Sequence, residues 1–436
     1  MLTLKPSAPP RGNNSRMLFW MVLIAFLIRF AVVLATYRDH MSPVMGYWWL
    51  GQEEARVAKS ILHGRGFSSP LYTETAPTAL VPPVYPLILA ADFKIFGFST
   101  VSACISILCF NALVSSLTCL PIFFFARRTF GHGAALAGGW AWAGYPYAVY
   151  WPIYRIWDTW LATLLFAILL CIVLRMAHSS RVSQWIGFGL LSGLAALVNP
   201  SVLAVLPFWG LWAVWQLRKQ QKRWFAPAVG AVLAVILTIS PWIIRNYRVF
   251  HKFIPIRDGL GMDFRLGNDG DSSEVFDMSA GPWLPWQDAT EWSAYVNMGE
   301  IAYFQWKGRQ AAAYIKAHPA WYAGMVARRV IYIWTNFWSF SRRYLHEEPL
   351  DPIIVPLWTL LSVLTFMGLY RAWKTKGADA TAPYALALIF FPMAYYLTHG
   401  GGWYRFPMDP FIIALASYEV HSWFTQRPPA QSAITA

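Results

Sequence analysis

The chain has 436 residues, of which 57% are hydrophobic and only 13% charged, with 25 tryptophans. Soluble domains carry about 25% charged residues, so this composition excludes an ordinary soluble protein and points to a polytopic membrane protein. The net charge of +14 does not signal nucleic acid, because the basic residues sit in short clusters between apolar runs, the pattern that orients membrane spans.

Residues 1–16 are polar and basic (Lys5, Arg11, Arg16) and read as a cytoplasmic tail. Met17–Thr36 is a first span that stays in the chain, since no small-residue cleavage site follows it. It carries Arg29, a charge that must pair or snorkel at that depth. Residues 38–99 form a first outer loop. Gly51–His63 reads as a short amphipathic helix that opens with Glu53 and Glu54, and Gly64–Pro70 turns the chain. Val84–Phe96 is too short to span and is expected at the interface, aimed by Pro82 and Pro83.

Further spans are expected at about Thr100–Ala126, Gly133–Tyr150 and Asp158–Arg175. Gln184–Leu217 is broken at Asn199-Pro200, with basic clusters at both ends. Two short spans keep both clusters on the cytoplasmic side, and a single span would not. Span seven, about Trp224–Ile244, closes the region 17–244. A long outer loop, 245–350, follows. It begins with Arg245-Asn246, holds an acidic run (Asp258, Asp263, Asp269, Asp271, Glu274, Asp277) and continues as helix over Ile301–Phe340, interrupted at His318-Pro319. Residues 351–425 hold spans eight to ten, at about Pro352–Tyr370, Ala382–Thr398 and from Pro407. A small outer loop, His399–Arg405, precedes the last of them, and 426–436 is a second cytoplasmic tail. The expectation is an all-α polytopic membrane protein of about ten spans, both termini inside. The four cysteines (Cys104, Cys109, Cys119, Cys171) lie in apolar runs and read as buried thiols, and no metal-ligand spacing appears.

This topology gathers Glu53, Glu54, Asp158, the acidic loop, Arg245, His399 and Arg405 on one outer side. Each also has a plain reading. Glu53 could pair with Arg56, Glu54 could be solvated, and Asp158 could cap its helix or pair with Arg155. Arg245 and Arg405 could be snorkelling charges, and Gly400–Gly402 make the loop beside Arg405 flexible or close-packed. The functional reading is group transfer. A shielded carboxylate takes a proton from a hydroxyl, and arginines at the membrane surface hold a phosphate leaving group.

Five pieces, in order along nearly the whole chain, carry a resemblance: GQEEARVAKSILHGRGFSSP, VPPVYPLILAADFKIFG, Asp158 after an aromatic outer loop, SPWIIRNYRVFHKFIPI with Leu266–Asn268, and YRFPMDPFIIALA. Together they resemble the GT-C glycosyltransferases, the broad family of dolichyl-phosphate-mannose–protein mannosyltransferases and bacterial aminoarabinose transferases. The resemblance implies a GT-C-like helical bundle. It also implies a polyprenyl-phosphate sugar donor and transfer to a hydroxyl of a lipid, glycan or protein, on the outer side of the cytoplasmic membrane and with inversion. It places catalytic carboxylates on Glu53 and Asp158, with Glu54 as the neighbouring candidate. Substrate contacts are expected from Arg245, Asn246, His399, Tyr404, Arg405, Pro82 and Pro83. No cofactor is required, and a divalent metal stays open. Two departures are visible: relatives often carry Asp-Glu where this chain has Gln52-Glu53-Glu54, and Lys where it has Val81. A transporter or flippase for lipid-linked glycans is the alternative, and would show inverted repeats and mid-span charges. A non-catalytic scaffold would not need converging carboxylates.

Overall fold

The computed structural model describes residues 11–41, 53–71, 73–268, 285, 288–340, 342–347 and 350–425. Gln52, Asp269, Asp271, Glu274, Asp277 and the tails 1–10 and 426–436 lie outside them. The described residues are helical and contain no strand.

Helix α1 (Arg11–Thr36) leads through a 3₁₀ turn to α2 (Glu53–Leu62) and α3 (Val84–Phe96), the two short helices of the first outer loop. Next come α4 (Val101–Leu117) and α5 (Cys119–Thr129), one expected span with a break at Thr118, where Pro121 supplies no N–H to the preceding turn. Helices α6 (His132–Gly144) and α7 (Pro146–Tyr154) are likewise split at Pro146. The prolines free carbonyls in this region, and Arg29 collects them. Its Nη2 donates to the Trp142 carbonyl (3.2 Å), which Pro146 cannot reach, and its Nε to that of Ala148 (2.8 Å), which Pro152 leaves open. Nη1 donates to Ala25 and Ala143 carbonyls at 2.9 and 3.0 Å. The buried guanidinium is thus held by backbone dipoles, and the freed carbonyls are satisfied.

Helices α8 (Thr159–Met176), α9 (Val182–Val198) and α10 (Leu206–Lys219) test the two-span reading. Trp185, at the start of α9, donates to the Ser179 carbonyl just past the end of α8. Asn199, after the end of α9, reaches Asp158 at the start of α8. Gln220, after α10, returns to the Ala177 carbonyl. The chain therefore reverses at Asn199-Pro200. Helix α11 (Phe225–Phe250) packs along α9. A Cβ at Gly189 would lie 2.2 Å from the Ala231 carbonyl oxygen, and one at Gly193 2.6 Å from the Thr238 Cβ, so the GxxxG face lets the backbones touch. The helix runs past its expected end at Ile244, so Arg245 and Asn246 lie on α11 rather than at the start of a loop.

The long loop is a helical layer: α12 (Leu260–Leu266), α13 (Ala289–Met298), α14 (Glu300–Ala317), α15 (Pro319–Thr335) and α16 (Arg342–Glu347), with the α14–α15 break at His318. Helices α17 (Asp351–Lys376), α18 (Ala378–Phe390), α19 (Met393–Leu397) and α20 (Asp409–Thr425) complete the bundle. By length and apolarity, six stretches among the described residues can cross a membrane: Asn14–Thr36, Val101–Thr129, Thr159–Met176, Phe225–Phe250, Asp351–Lys376 and Ala378–Leu397. The other expected crossings fall on the shorter helices α6 with α7, α9, α10 and α20. By length and composition alone, six of the expected spans are supported among the described residues.

Candidate active site

A cavity of about 460 Å³ opens where the first outer loop, the start of α8, the end of α9, the 257–266 segment and the 394–407 segment meet. Glu53, Glu54, Pro82, Asp158, His399 and Tyr404 all line it. Segments a hundred and more residues apart are thus brought to one end of the bundle. Pro83, Arg245, Asn246 and Arg405 are not in the lining.

The carboxyls are set by local structure. Glu53 and Glu54 form the first turn of α2, where the unpaired N–H groups of a helix start favour acids. Adjacent positions on a helix point in different directions, and the two carboxyls differ accordingly. Glu54 is buried, and its Oε2 has no hydrogen-bond partner among the described residues. Burial, then Asp158, then Glu53 push it well above the usual carboxylate range. Glu53 is half-buried. Burial raises it too, but the charges of Arg56 and Arg257 oppose the rise. Asp158 precedes α8 without capping its amides. Its Oδ1 instead accepts from Asn199 Nδ2 at 3.2 Å, and burial lifts it to about 6 against that bond. Arg155, the alternative partner weighed for Asp158, has its guanidinium over the rings of Trp151, Trp157 and Trp403.

Arg257 is the sole arginine or lysine among the described lining residues. Its Nη2 lies 2.9 Å from Asp263 Oδ2. Burial opposes its charge, but Asp263 and Asp158 hold its pKa above the ordinary value. Sequence reasoning passed over it. The signal was present: a single arginine beside Asp258 at the head of the acidic run. Asn199 was noticed only as a span break, yet its Oδ1 accepts from Ser201 N–H (3.0 Å) while its amide holds Asp158.

His399 is buried, and burial lowers its pKa, so the ring is neutral. Its Nδ1 lies 3.1 Å from the Asp263 carbonyl, which can only accept, so Nδ1 carries the proton. Nε2 then accepts from the Tyr404 hydroxyl at 2.7 Å.

The remaining expected contacts serve other purposes. Arg405 is fully buried and donates to Asp409 Oδ1 (2.9 Å) and Ser362 Oγ (3.1 Å), with its guanidinium 3.7 Å from the Trp358 ring centre. It is an internal ion pair beneath the cavity. Asn246 is buried, with Nδ2 donating to the Ile254 and Ile256 carbonyls, so it shapes the turn that delivers Arg257. Arg245 donates to the Thr78 and Phe67 carbonyls, each at 2.8 Å. Pro83 is the N-cap residue of α3. Among the described residues, no group of three or more His, Cys, Asp or Glu is placed to hold a metal ion.

Residues 80–244 match the profile of the dolichyl-phosphate-mannose-protein mannosyltransferase family, less than half of the chain. Glu53 and Glu54 precede that segment and Arg257 follows it. No curated protein sequence matches the chain. The fold is similar to the oligosaccharyltransferase AglB of Archaeoglobus fulgidus in complex with an inhibitory peptide and a dolichol-phosphate: TM-score 0.55, 14% identity, 94% of this chain and 51% of that one. The oligosaccharyltransferase from the same archaeon, tethered with an acceptor peptide, matches with TM-score 0.53 and 12% identity over 94% and 50% of the two chains. ArnT from Cupriavidus metallidurans bound to undecaprenyl phosphate matches with TM-score 0.38 and 14% identity over 93% and 77%. The chain spans about half the length of the oligosaccharyltransferases it matches. It is an all-α polytopic membrane protein with a GT-C-like fold, and its sequence resemblance to the dolichyl-phosphate-mannose-protein mannosyltransferases runs through residues 80–244.

Proposed function

We propose that the protein is a membrane glycosyltransferase that moves a sugar from a polyprenyl-phosphate donor to a hydroxyl acceptor on the outer side of the cytoplasmic membrane. The observation that carries this reading is the convergence of Glu53, Glu54 and Asp158 with Arg257, the sole arginine or lysine among the described lining residues, in one cavity at the end of the bundle. Carboxyls whose surroundings push their pKa values apart divide into acid and base roles. Burial, Asp158 and Glu53 push Glu54 well above the usual carboxylate range and favour its protonated form, whereas the charges of Arg56 and Arg257 oppose the rise that burial gives Glu53 and favour its ionised form.

Glu53 takes the proton of the acceptor hydroxyl as its oxygen attacks the anomeric carbon. The new C–O bond forms as the bond from that carbon to the phosphate oxygen breaks on the opposite face, and the configuration inverts. The electron pair leaves on the polyprenyl phosphate, whose charge Arg257 receives. Asp158, held by Asn199, orients the acceptor. Arg257 thus fills the role left open by Val81, and Arg245 and Arg405 are committed elsewhere. His399 and Tyr404, locked to each other, form a rigid neutral wall for the sugar. The test is transfer by the purified protein in detergent, supplied with polyprenyl-phosphate-linked sugars and hydroxyl acceptors. Donor consumption that requires acceptor and disappears in Glu53→Gln supports the reading. Transport of intact donor across vesicles without bond cleavage would replace it with the flippase alternative.

A further inference from the structure

The cavity wall at Leu80, Val81 and Pro82 belongs to a strap whose described residues, 67–71 and 73–83, have little regular structure of their own. Part of its shape comes from within. The Thr78 N–H bonds to the Phe67 carbonyl (3.2 Å), and Ser69 Oγ exchanges hydrogen bonds with the Thr75 backbone. The rest comes from two charged side chains that converge on one dipeptide. Glu300, buried at the first position of α14, accepts from Thr78 Oγ1 at 2.6 Å on Oε2 and from Ala79 N–H at 2.7 Å on Oε1. Tyr295 of α13 donates a third bond to Oε2. From the other side Arg245 of α11 donates to the Thr78 carbonyl at 2.8 Å. The Ala79 carbonyl accepts from the Asp258 N–H at 2.9 Å, one residue from Arg257. The Leu80 N–H closes on Thr78 Oγ1 at 2.9 Å.

We propose that Glu300, with Arg245, is a positioning residue for the transfer reaction. The pair clamps Thr78-Ala79 between an anion and a cation and so fixes the Leu80–Pro82 wall, coupling the helical layer of the long loop to the active cavity. The role in transfer rests on the glycosyltransferase reading. The clamp itself rests on the contacts alone. Thr78, Ala79 and Glu300 are all buried, so these strap groups are cut off from water and depend on the clamp for their hydrogen bonds. Displacing a reacting group or its wall by about 1 Å costs on the order of 100-fold in rate. Loss of the clamp leaves the Arg257–Asp263 ion pair intact, so kcat is expected to fall by more than the donor KM rises.

Two readouts on the full-length protein in detergent test this. Hydrogen exchange of peptides covering residues 73–82 reads the clamp with no sugar present. Glu300→Ala is expected to speed exchange at Ala79 and Leu80 while peptides from α8 and α20 stay protected. Sugar transfer reads the consequence: Glu300→Ala loses on the order of 100-fold in kcat, and Glu300→Gln, which keeps one acceptor oxygen for Ala79 N–H but sets an NH2 donor against the Thr78 and Tyr295 hydroxyls, recovers only part of it. Arg245→Ala gives a similar loss, and the double variant is no worse than either single one, because both act on one dipeptide. Unchanged exchange in Glu300→Ala overturns the clamp. Faster exchange with wild-type kcat overturns the positioning role. Transfer absent from the unaltered protein overturns the glycosyltransferase reading and the role in transfer, while faster exchange still supports the clamp.

Discussion

Glu53 and Glu54 are adjacent, both line the cavity, and only one of them can be the base. Changing each to Gln separates them, because the amide copies a neutral carboxyl in shape but cannot take a proton. Glu53 sits half-buried beside Arg56 and Arg257, charges that favour its ionised form. Glu53→Gln removes general-base catalysis, worth about 10² to 10⁴ in rate, or about 3 to 5 kcal/mol of transition-state stabilisation. Glu54 is buried, and that burial, then the charge of Asp158, push it well above the usual carboxylate range and favour its protonated form. Glu54→Gln therefore replaces one neutral hydrogen-bonding group by another and is expected to cost less than about tenfold, the scale of one neutral hydrogen bond. The pH dependence has a defined sign. The base works deprotonated, and burial raises Glu53 above the ordinary glutamate value. The rate of the unaltered protein should fall as pH drops through that raised value, above the range of an exposed glutamate. In Glu53→Gln the residual rate should lose that limb. The assay is donor-dependent transfer by purified variants in detergent, with monodispersity confirming the fold. Near-full activity of Glu53→Gln would refute the assignment. A Glu54→Gln variant as inactive as expected for Glu53→Gln would move the base one residue along the helix.

Three further outcomes are expected. Arg257→Ala should raise the donor KM and lower kcat together, Arg257→Lys should restore part of both, and Lys59→Ala, an exposed charge outside the cavity lining, should do neither. Equal effects of Arg257→Ala and Lys59→Ala on donor titrations would reject the phosphate role. Arg405→Ala should act on stability: it leaves Asp409 buried without its cation, with only the Tyr145 hydroxyl still bonded to it, a loss of about 3–5 kcal/mol, seen as a lower thermal unfolding temperature in detergent. A normally stable protein with a raised donor KM would return Arg405 to the substrate. A cysteine at Asn297, exposed on α13, should react with a membrane-impermeant reagent in intact cells, and labelling only after lysis would place the long loop inside.

Much of the architecture was legible because it follows from two strong signals. Apolar runs mark helices that must satisfy their own backbone in lipid, and prolines mark their breaks. Val84–Phe96 and the reversal at Asn199-Pro200 were therefore readable from the sequence. Charged residues at span ends were less readable, because a chain that buries an arginine beside carbonyls looks the same in sequence as one that offers it to a ligand. Arg245 and Arg405 differ only in what surrounds them: two strap carbonyls for the first, Asp409 and the Trp358 ring for the second.

The same limit explains why Arg257 and Glu300 escaped notice. Neither lies on a span, and neither has a periodic or motif signal. Their importance arises from long-range contacts: Glu300 meets Thr78 across 222 positions, and Asp158, which raises the pKa of Arg257, lies a hundred residues before it. What the sequence does carry is the reason such contacts are needed. Residues 67–82 hold three prolines, Pro70, Pro77 and Pro82, which supply no N–H and break any regular element whose backbone could pair within itself. A segment of that kind at the mouth of a cavity must be held by hydrogen bonds from its neighbours. Charged groups are the strongest donors and acceptors for the purpose. The two that hold it come from α11 and α14, so Thr78-Ala79 ties the bundle and the helical layer of the long loop to one wall of the cavity.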